Sequence, residues 1–203
     1  MSLFRLALVS VVALAGCIPD LKSPPGADDD VFEADASDYE APDNEWEQCE
    51  LPPASLKSTG YGEGEVFPDL QMMDQHGDIA SMWQWYGCVV AVDISTMWCG
   101  PCRQIAKEVD HTWEDYRDQG FMYVTMLPEN STGDIPSKAD LNDWANAGNI
   151  TAPVLQDKER YSYDLAPDGA YPRILIIGRD MTIMNGQVTP EDAAIRSAIE
   201  SAL

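Results

Sequence analysis

Basic residues are scarce in this chain: twelve Lys and Arg stand against 35 Asp and Glu, for a formal net charge of -23. Sequence-independent binding of nucleic acid needs clustered cations that release counterions from phosphates, so no nucleic-acid partner is expected. Long apolar runs are missing too. The most apolar stretch, Leu6 to Leu14, has Ser10 inside it and is closed soon after by Pro19, Asp20 and Lys22, whereas a spanning helix takes roughly 20 apolar residues. Histidine occurs only at His76 and His111, and there are five cysteines, which leaves little for a second paired set of metal ligands. Glycine and proline, fourteen each, show no collagen-like period. What is present is a 203-residue chain with 45% apolar residues, enough for one domain with appendages.

The N-terminus reads as an export signal: a short start with Arg5, an apolar core, then small residues at Leu14-Ala15-Gly16-Cys17. That tetrapeptide resembles the bacterial lipobox. The resemblance implies a signal peptide at 1–16 and a lipid-modified Cys17, whose acyl chains would anchor the protein in a membrane. Ile18 rather than Asp after the cysteine implies, by likeness to lipoprotein sorting in Gram-negative bacteria, the outer membrane and a periplasmic face. From Ile18 to Glu50 acids crowd the chain (Asp28, Asp29, Asp30, Glu33, Asp35, Asp38 and Glu40 among them) with Lys22 as the single base. Like charges at that density repel, so 17–50 is expected to be a disordered, solvated tether. Trp46 and Cys49 suggest that its last residues touch the domain, which is expected over 51–203.

Within that domain, Glu65 to Leu70 and Gly77 to Ala80 flank a turn at Asp74 to Asp78 and predict a short strand pair. A brief helix is expected around Ser81 to Tyr86. Cys88 to Ile94 is a β-branched run of the kind buried on both faces of a parallel sheet, with one charge, Asp93. Pro101 fits the first turn of a helix whose inner face is Ile105, Val109, Thr112, Trp113 and Tyr116 and which Gly120 closes. Phe121 to Leu127 is a second buried strand, making a βαβ unit. Ser137 caps a helix that runs to Ala147 with Leu141, Trp144 and Ala145 inward. A shorter helix is expected over Lys158 to Leu165, a core strand over Arg173 to Ile177, and its hairpin partner over Met181 to Met184. Thr189 as N-cap and Pro190 at the first position open the terminal helix.

The chemistry concentrates at Trp98-Cys99-Gly100-Pro101-Cys102. Two cysteines two residues apart at a helix start can close and open a small disulfide ring with little backbone movement. Cys99 would lie where unpaired amides and the helix dipole favour a thiolate, the form that attacks a disulfide. Cys102, one turn inward, would be the resolving thiol. Structural zinc and a purely structural disulfide are the competing uses of such a pair.

The pentapeptide is similar to the active site of thioredoxins, and the α/β order around it resembles the thioredoxin-like fold: a central mixed β-sheet flanked by helices. The resemblance implies further roles. Asp93 matches the buried carboxylate that accepts the proton of the inner cysteine through water, although the next strand lacks the lysine usual beside it. Tyr171-Pro172 matches the cis-proline facing the cysteines, where the preceding residue's backbone pairs with the substrate chain; Trp98, Gly100, Pro101, Tyr171 and Pro172 would then line the substrate groove. The N-terminal β extension and the insert before the proline look more like the membrane-tethered TlpA and ResA-like oxidoreductases than like plain thioredoxin, though Met181 stands where many relatives carry glycine. Peroxiredoxins share the frame, but their Pro-x-x-x-Thr-x-x-Cys pattern finds Thr96 and Val92, so its proline is missing.

These likenesses imply an envelope thiol-disulfide oxidoreductase with no cofactor beyond its own dithiol. It would reduce disulfides of exported proteins, cytochrome c apoproteins among them, with electrons from a membrane thiol donor. The alternatives are a thiol-dependent peroxidase and a non-catalytic lipoprotein binding module on the same fold. Cys49 and Cys88 remain; in an oxidising envelope they can pair as a structural disulfide, or stay as reactive or buried thiols.

Overall fold

A computed structural model describes residues 35–203. The expected signal peptide, Cys17 and the first half of the tether lie outside the described residues. Seven strands appear in chain order: β1 (Gln71–Asp74), β2 (Ile79–Ser81), β3 (Val89–Ile94), β4 (Phe121–Leu127), β5 (Val154–Gln156), β6 (Arg173–Ile177) and β7 (Ile183–Val188). The α-helices are α1 (Gly100–Ile105), α2 (Val109–Tyr116), α3 (Lys138–Gly148), α4 (Ser162–Leu165) and α5 (Asp192–Ala202). They build one mixed sheet of order β2-β1-β5-β4-β3-β6-β7. β3, β4 and β5 run parallel, while β6 lies antiparallel to β3 and β1 antiparallel to β5. This is the thioredoxin-like α/β arrangement that the sequence implied.

β3 and β4 are buried at every position, the burial expected of central strands covered on both faces. Val89 and Ala91 point into one core with Tyr123, Ile174, Cys102, Ile105, Leu141, Trp144 and Ile195. Val90, Val92 and Ile94 point into the other, with Phe67, Leu70, Trp83, Trp85 and Leu175. Asp93, by alternation along the strand, falls on the dithiol side.

Several elements differ from expectation. The helix expected from Pro101 to Gly120 is two helices, because residues 106–108 tighten into i→i+3 bonds (Lys107 N to Gln104 O, Glu108 N to Ile105 O). The turn brings the Ala106 carbonyl so close to α3 that a Cβ on Gly148 would sit 2.7 Å from it. Glu65 to Leu70 is not a strand: Pro68 removes a donor, and only Val66 bridges to Thr182, so the pairing with β2 passes to residues 71–74. β5 is a three-residue strand with no sequence expectation. Arg160 adopts φ 61, which cuts the expected Lys158–Leu165 helix down to α4. Met181, at φ 65, belongs to the turn and shifts β7 two residues later. Thr189 is not an N-cap; it forms a turn with Glu191 N, and α5 starts at Asp192, which instead holds Arg196. Ser137 and Asp140 do form the reciprocal cap on α3.

The tether does not extend to residue 50. Residues 35–50 lie on the domain as a strap because apolar side chains are interspersed among their acids: Ala36 is buried, and Tyr39, Trp46 and Cys49 pack against the second core. The Asn44 amide donates to the Ile79 carbonyl on β2, the Trp46 indole donates to Asp74 at 2.6 Å, and Cys49 is bonded to Cys88. Among the described residues no helix is long and apolar enough to cross a membrane.

Candidate active site

The site forms where β3 ends. Ser95 to Trp98 turn the chain, held by Ser95 N to Met126 O, Met97 N to Glu129 O and Cys99 N to Thr96 O. Cys99 then takes the cap position of α1 and its sulfur accepts from Cys102 N at 3.2 Å. Pro101 sits in the first turn, where its missing N–H costs nothing. Cys99 and Cys102 are joined as a disulfide. Cys99 keeps 5% of its surface and Cys102 none, so only the outer sulfur can be met from solvent. Gly100 and Pro101 are exposed beside it, and nothing lies within 4 Å of where a Cβ on Gly100 would be.

Asp93 is fully buried, on the sheet face that packs against the dithiol. Burial raises its pKa to about 7, opposed by a 2.7 Å bond from the Ser95 hydroxyl to one carboxyl oxygen. The other oxygen has no partner, nor do the buried hydroxyls of Thr96, Tyr123 and Thr125. In the sheet Asp93 faces Thr125 on β4 and Ile174 on β6. No cation therefore opposes it from either neighbouring strand position. Burial, with the charge of Asp93 adding to it, also drives the Tyr123 phenol up.

Across from the cysteines, Tyr171-Pro172 is cis. The Cys99 sulfur lies 3.6 Å from the Tyr171 carbonyl oxygen, a position where a reduced thiol can donate. The Tyr171 ring meets Trp98 edge-on, with centroids 6.1 Å apart. Trp98 is 47% exposed, and its indole N–H donates to Glu129 at 2.6 Å. The structure thus brings together Cys99, Cys102, Asp93, Trp98, Gly100, Pro101, Tyr171 and Pro172. Ser95, Thr125, Glu129, Arg160 and Tyr163 belong to the same neighbourhood and were not foreseen. The signal was available for Glu129, which lies two residues past the end of β4: loops after the carboxyl ends of parallel strands converge on the site in α/β sheets.

Cys49 and Cys88 are the second disulfide, with Cα atoms 5.9 Å apart. Cys88 immediately precedes β3, at the end of the strand remote from the dithiol. His76 pairs with Glu45 at 2.8 Å, and His111 lies 3.9 Å from Asp115; neither lines the site. Among the described residues no group of three His, Cys, Asp or Glu side chains could hold a metal ion.

The fold and site define a thioredoxin-like protein. Solved structures with the same fold include the thioredoxin domain of a thiol-disulfide oxidoreductase from Bacteroides vulgatus (TM-score 0.59, 16% identity, covering 70% of this chain and 99% of that one). A thiol:disulfide interchange protein of the thioredoxin family from Chlorobium tepidum is similar to a like degree (TM-score 0.58, 15% identity, covering 68% and 94%). Residues 64–185 match the AhpC/TSA family model, and the chain belongs to that family. It is also similar to the thioredoxin-like protein YneN of Bacillus subtilis, 26% identical over 110 residues, 54% of this chain and 62% of that protein. The match thus spans less than two thirds of that relative.

Proposed function

We propose that this protein is an envelope thiol-disulfide oxidoreductase that reduces disulfides of exported proteins. The observation that carries the reading is the asymmetry of the pair: Cys99 at the surface beside the Tyr171 carbonyl, Cys102 wholly enclosed. With the pair reduced, the Cys99 thiolate attacks one sulfur of the substrate disulfide, forming a mixed disulfide and expelling the other sulfur as a thiolate. Cys102 then gives its proton toward ionised Asp93 and attacks the Cys99 sulfur. The substrate's second thiol leaves, the Cys99–Cys102 disulfide closes, and two electrons have passed to the substrate. A membrane thiol donor resets the pair by the reverse exchange. Lipid on Cys17 would hold the domain at the outer membrane facing the periplasm, in reach of exported substrates such as cytochrome c apoproteins; no metal or organic cofactor enters.

The test is the reduction potential of the Cys99–Cys102 pair in the full chain, from equilibration in thiol buffers with the alkylated cysteines located by mass. A value near about -270 mV supports a reductant, whereas one near about -120 mV makes the protein an oxidant instead. The family match favours one rival, a thiol-dependent peroxidase. Peroxide consumption that requires Cys99 and a thiol donor, and outpaces disulfide reduction, would replace the present reading.

A further inference from the structure

We propose that Glu129, braced by Arg160 and Tyr163, is a positioning residue that fixes the Trp98 indole as a wall of the groove over Cys99, and that this wall favours polypeptide disulfides over small ones. The proposal rests on the oxidoreductase reading above. An indole 47% exposed on a turn would ordinarily sample several rotamers. Here its N–H meets a carboxylate at 2.6 Å, a charge-assisted bond. That carboxylate is fixed in turn: its other oxygen accepts from the Tyr163 hydroxyl at 2.9 Å and lies 3.4 Å from the Arg160 guanidinium, which sits over the Tyr163 ring at 5.0 Å.

The bracing residues come from the insert before Pro172, in a stretch that is itself held. Asp157 accepts from the backbone N–H groups of Tyr161 and Ser162, each at 2.9 Å, and Arg160 takes a left-handed φ of 61 that non-glycine residues seldom adopt. On its other side Trp98 meets Tyr171, whose carbonyl touches the Cys99 sulfur. One connected set of contacts therefore runs from the insert, through Glu129 and Trp98, to the backbone opposite the nucleophile. With its N–H used and one side against Tyr171, the indole offers its remaining face as an apolar platform beside Cys99. A polypeptide passing the sulfur must lie along that platform. A small disulfide needs only the sulfur.

The experiment uses prereduced full chain in single turnovers at one ionic strength, with insulin as the polypeptide disulfide and oxidised glutathione as the small one. Glu129→Ala and Arg160→Gly are expected to raise the half-saturating insulin concentration about tenfold, with the limiting rate and the glutathione rate within about twofold of wild type. Tyr163→Phe should give a smaller rise in the same direction. Glu129→Gln, whose amide oxygen still accepts from the indole, should recover most of the loss. Arg160→Gly suits the left-handed backbone and Tyr163→Phe removes one hydroxyl, so these two decide the matter even if Glu129→Ala does not fold. Equal slowing on both disulfides, or unchanged insulin saturation in both variants, overturns the clamp. A wild type that reduces neither disulfide overturns the oxidoreductase reading, and the clamp with it.

Discussion

A carboxyl whose ordinary value is 3.8 but which burial holds near 7 keeps its proton through mildly acid solution in the folded chain, where the unfolded chain has already released it. Between about pH 4 and 7 the folded state thus binds one more proton than the unfolded, so the contribution of Asp93 to stability falls as pH rises through that window and is flat above it. The span amounts to something on the order of 4 kcal/mol. Asp93→Asn removes this dependence: by denaturant titration the variant should gain on wild type from pH 4.5 to 8, and equal differences at both values would refute the assignment. On the mechanism proposed above, the same substitution should slow release of the mixed disulfide about 10- to 100-fold near neutral pH, since the inner thiol would lose its acceptor. Thr125 offers the complementary change. It faces Asp93 directly across the parallel register, so Thr125→Lys sets a cation against the carboxyl and should move the midpoint of that pH dependence toward acid by about a unit or more.

At the scale of elements, the strap and the 181 turn were hidden for different reasons. The strap's composition is that of a repelling acidic run, and only its contacts show that Ala36, Tyr39 and Trp46 overcome it; charge density is a local signal, whereas docking depends on a surface far away in sequence. The Cys49–Cys88 bridge spans 39 residues, which in the chain-entropy model is worth roughly 3–4 kcal/mol. Replacing both cysteines by Ala should cost about that much in denaturant unfolding and should raise amide exchange over residues 35–50 while sparing β3 and β4. Met181 combines a left-handed φ with complete burial, so backbone and side chain pull in opposite directions. Either truncation loses a packed methionine, at about 2–5 kcal/mol, but glycine also relieves the backbone by about 1 kcal/mol. Met181→Gly should therefore melt above Met181→Ala and below wild type, the reverse of the usual order of alanine and glycine. The buried strands, the α3 cap and the paired cysteines were legible because each is written in a few adjacent residues. β5, the break at Ala106 and the brace on Glu129 were not: three-residue strands carry no period, no Gly or Pro marks the break, and Arg160 and Tyr163 reach Glu129 from a distant segment.

For the molecule as a whole, a net charge of -23 sets a field that acts before any contact is made. Near the dithiol Arg173 is paired with Asp168 at 2.5 Å and Arg160 with Glu129, and only Arg103, exposed and bonded to the neutral Met97 carbonyl, keeps an unpaired charge among these three. An approaching partner thus meets acid with few free bases to offset it. Encounter with a basic disulfide-bonded protein should be steered, and encounter with an acidic one opposed, and both effects must fade as salt shortens the screening length from roughly 30 Å at about 0.01 M to 3 Å at about 1 M. Under second-order conditions, the rate at which the reduced chain attacks a basic protein disulfide should fall about tenfold or more over that range, and the rate on an acidic one should rise. Oxidised glutathione, too small to sense the whole field, should change far less than either. Parallel salt slopes for the basic and acidic proteins would mean that the acid surface is turned away from the docking face, and substrate choice would then fall to the groove around Trp98 and Tyr171 alone.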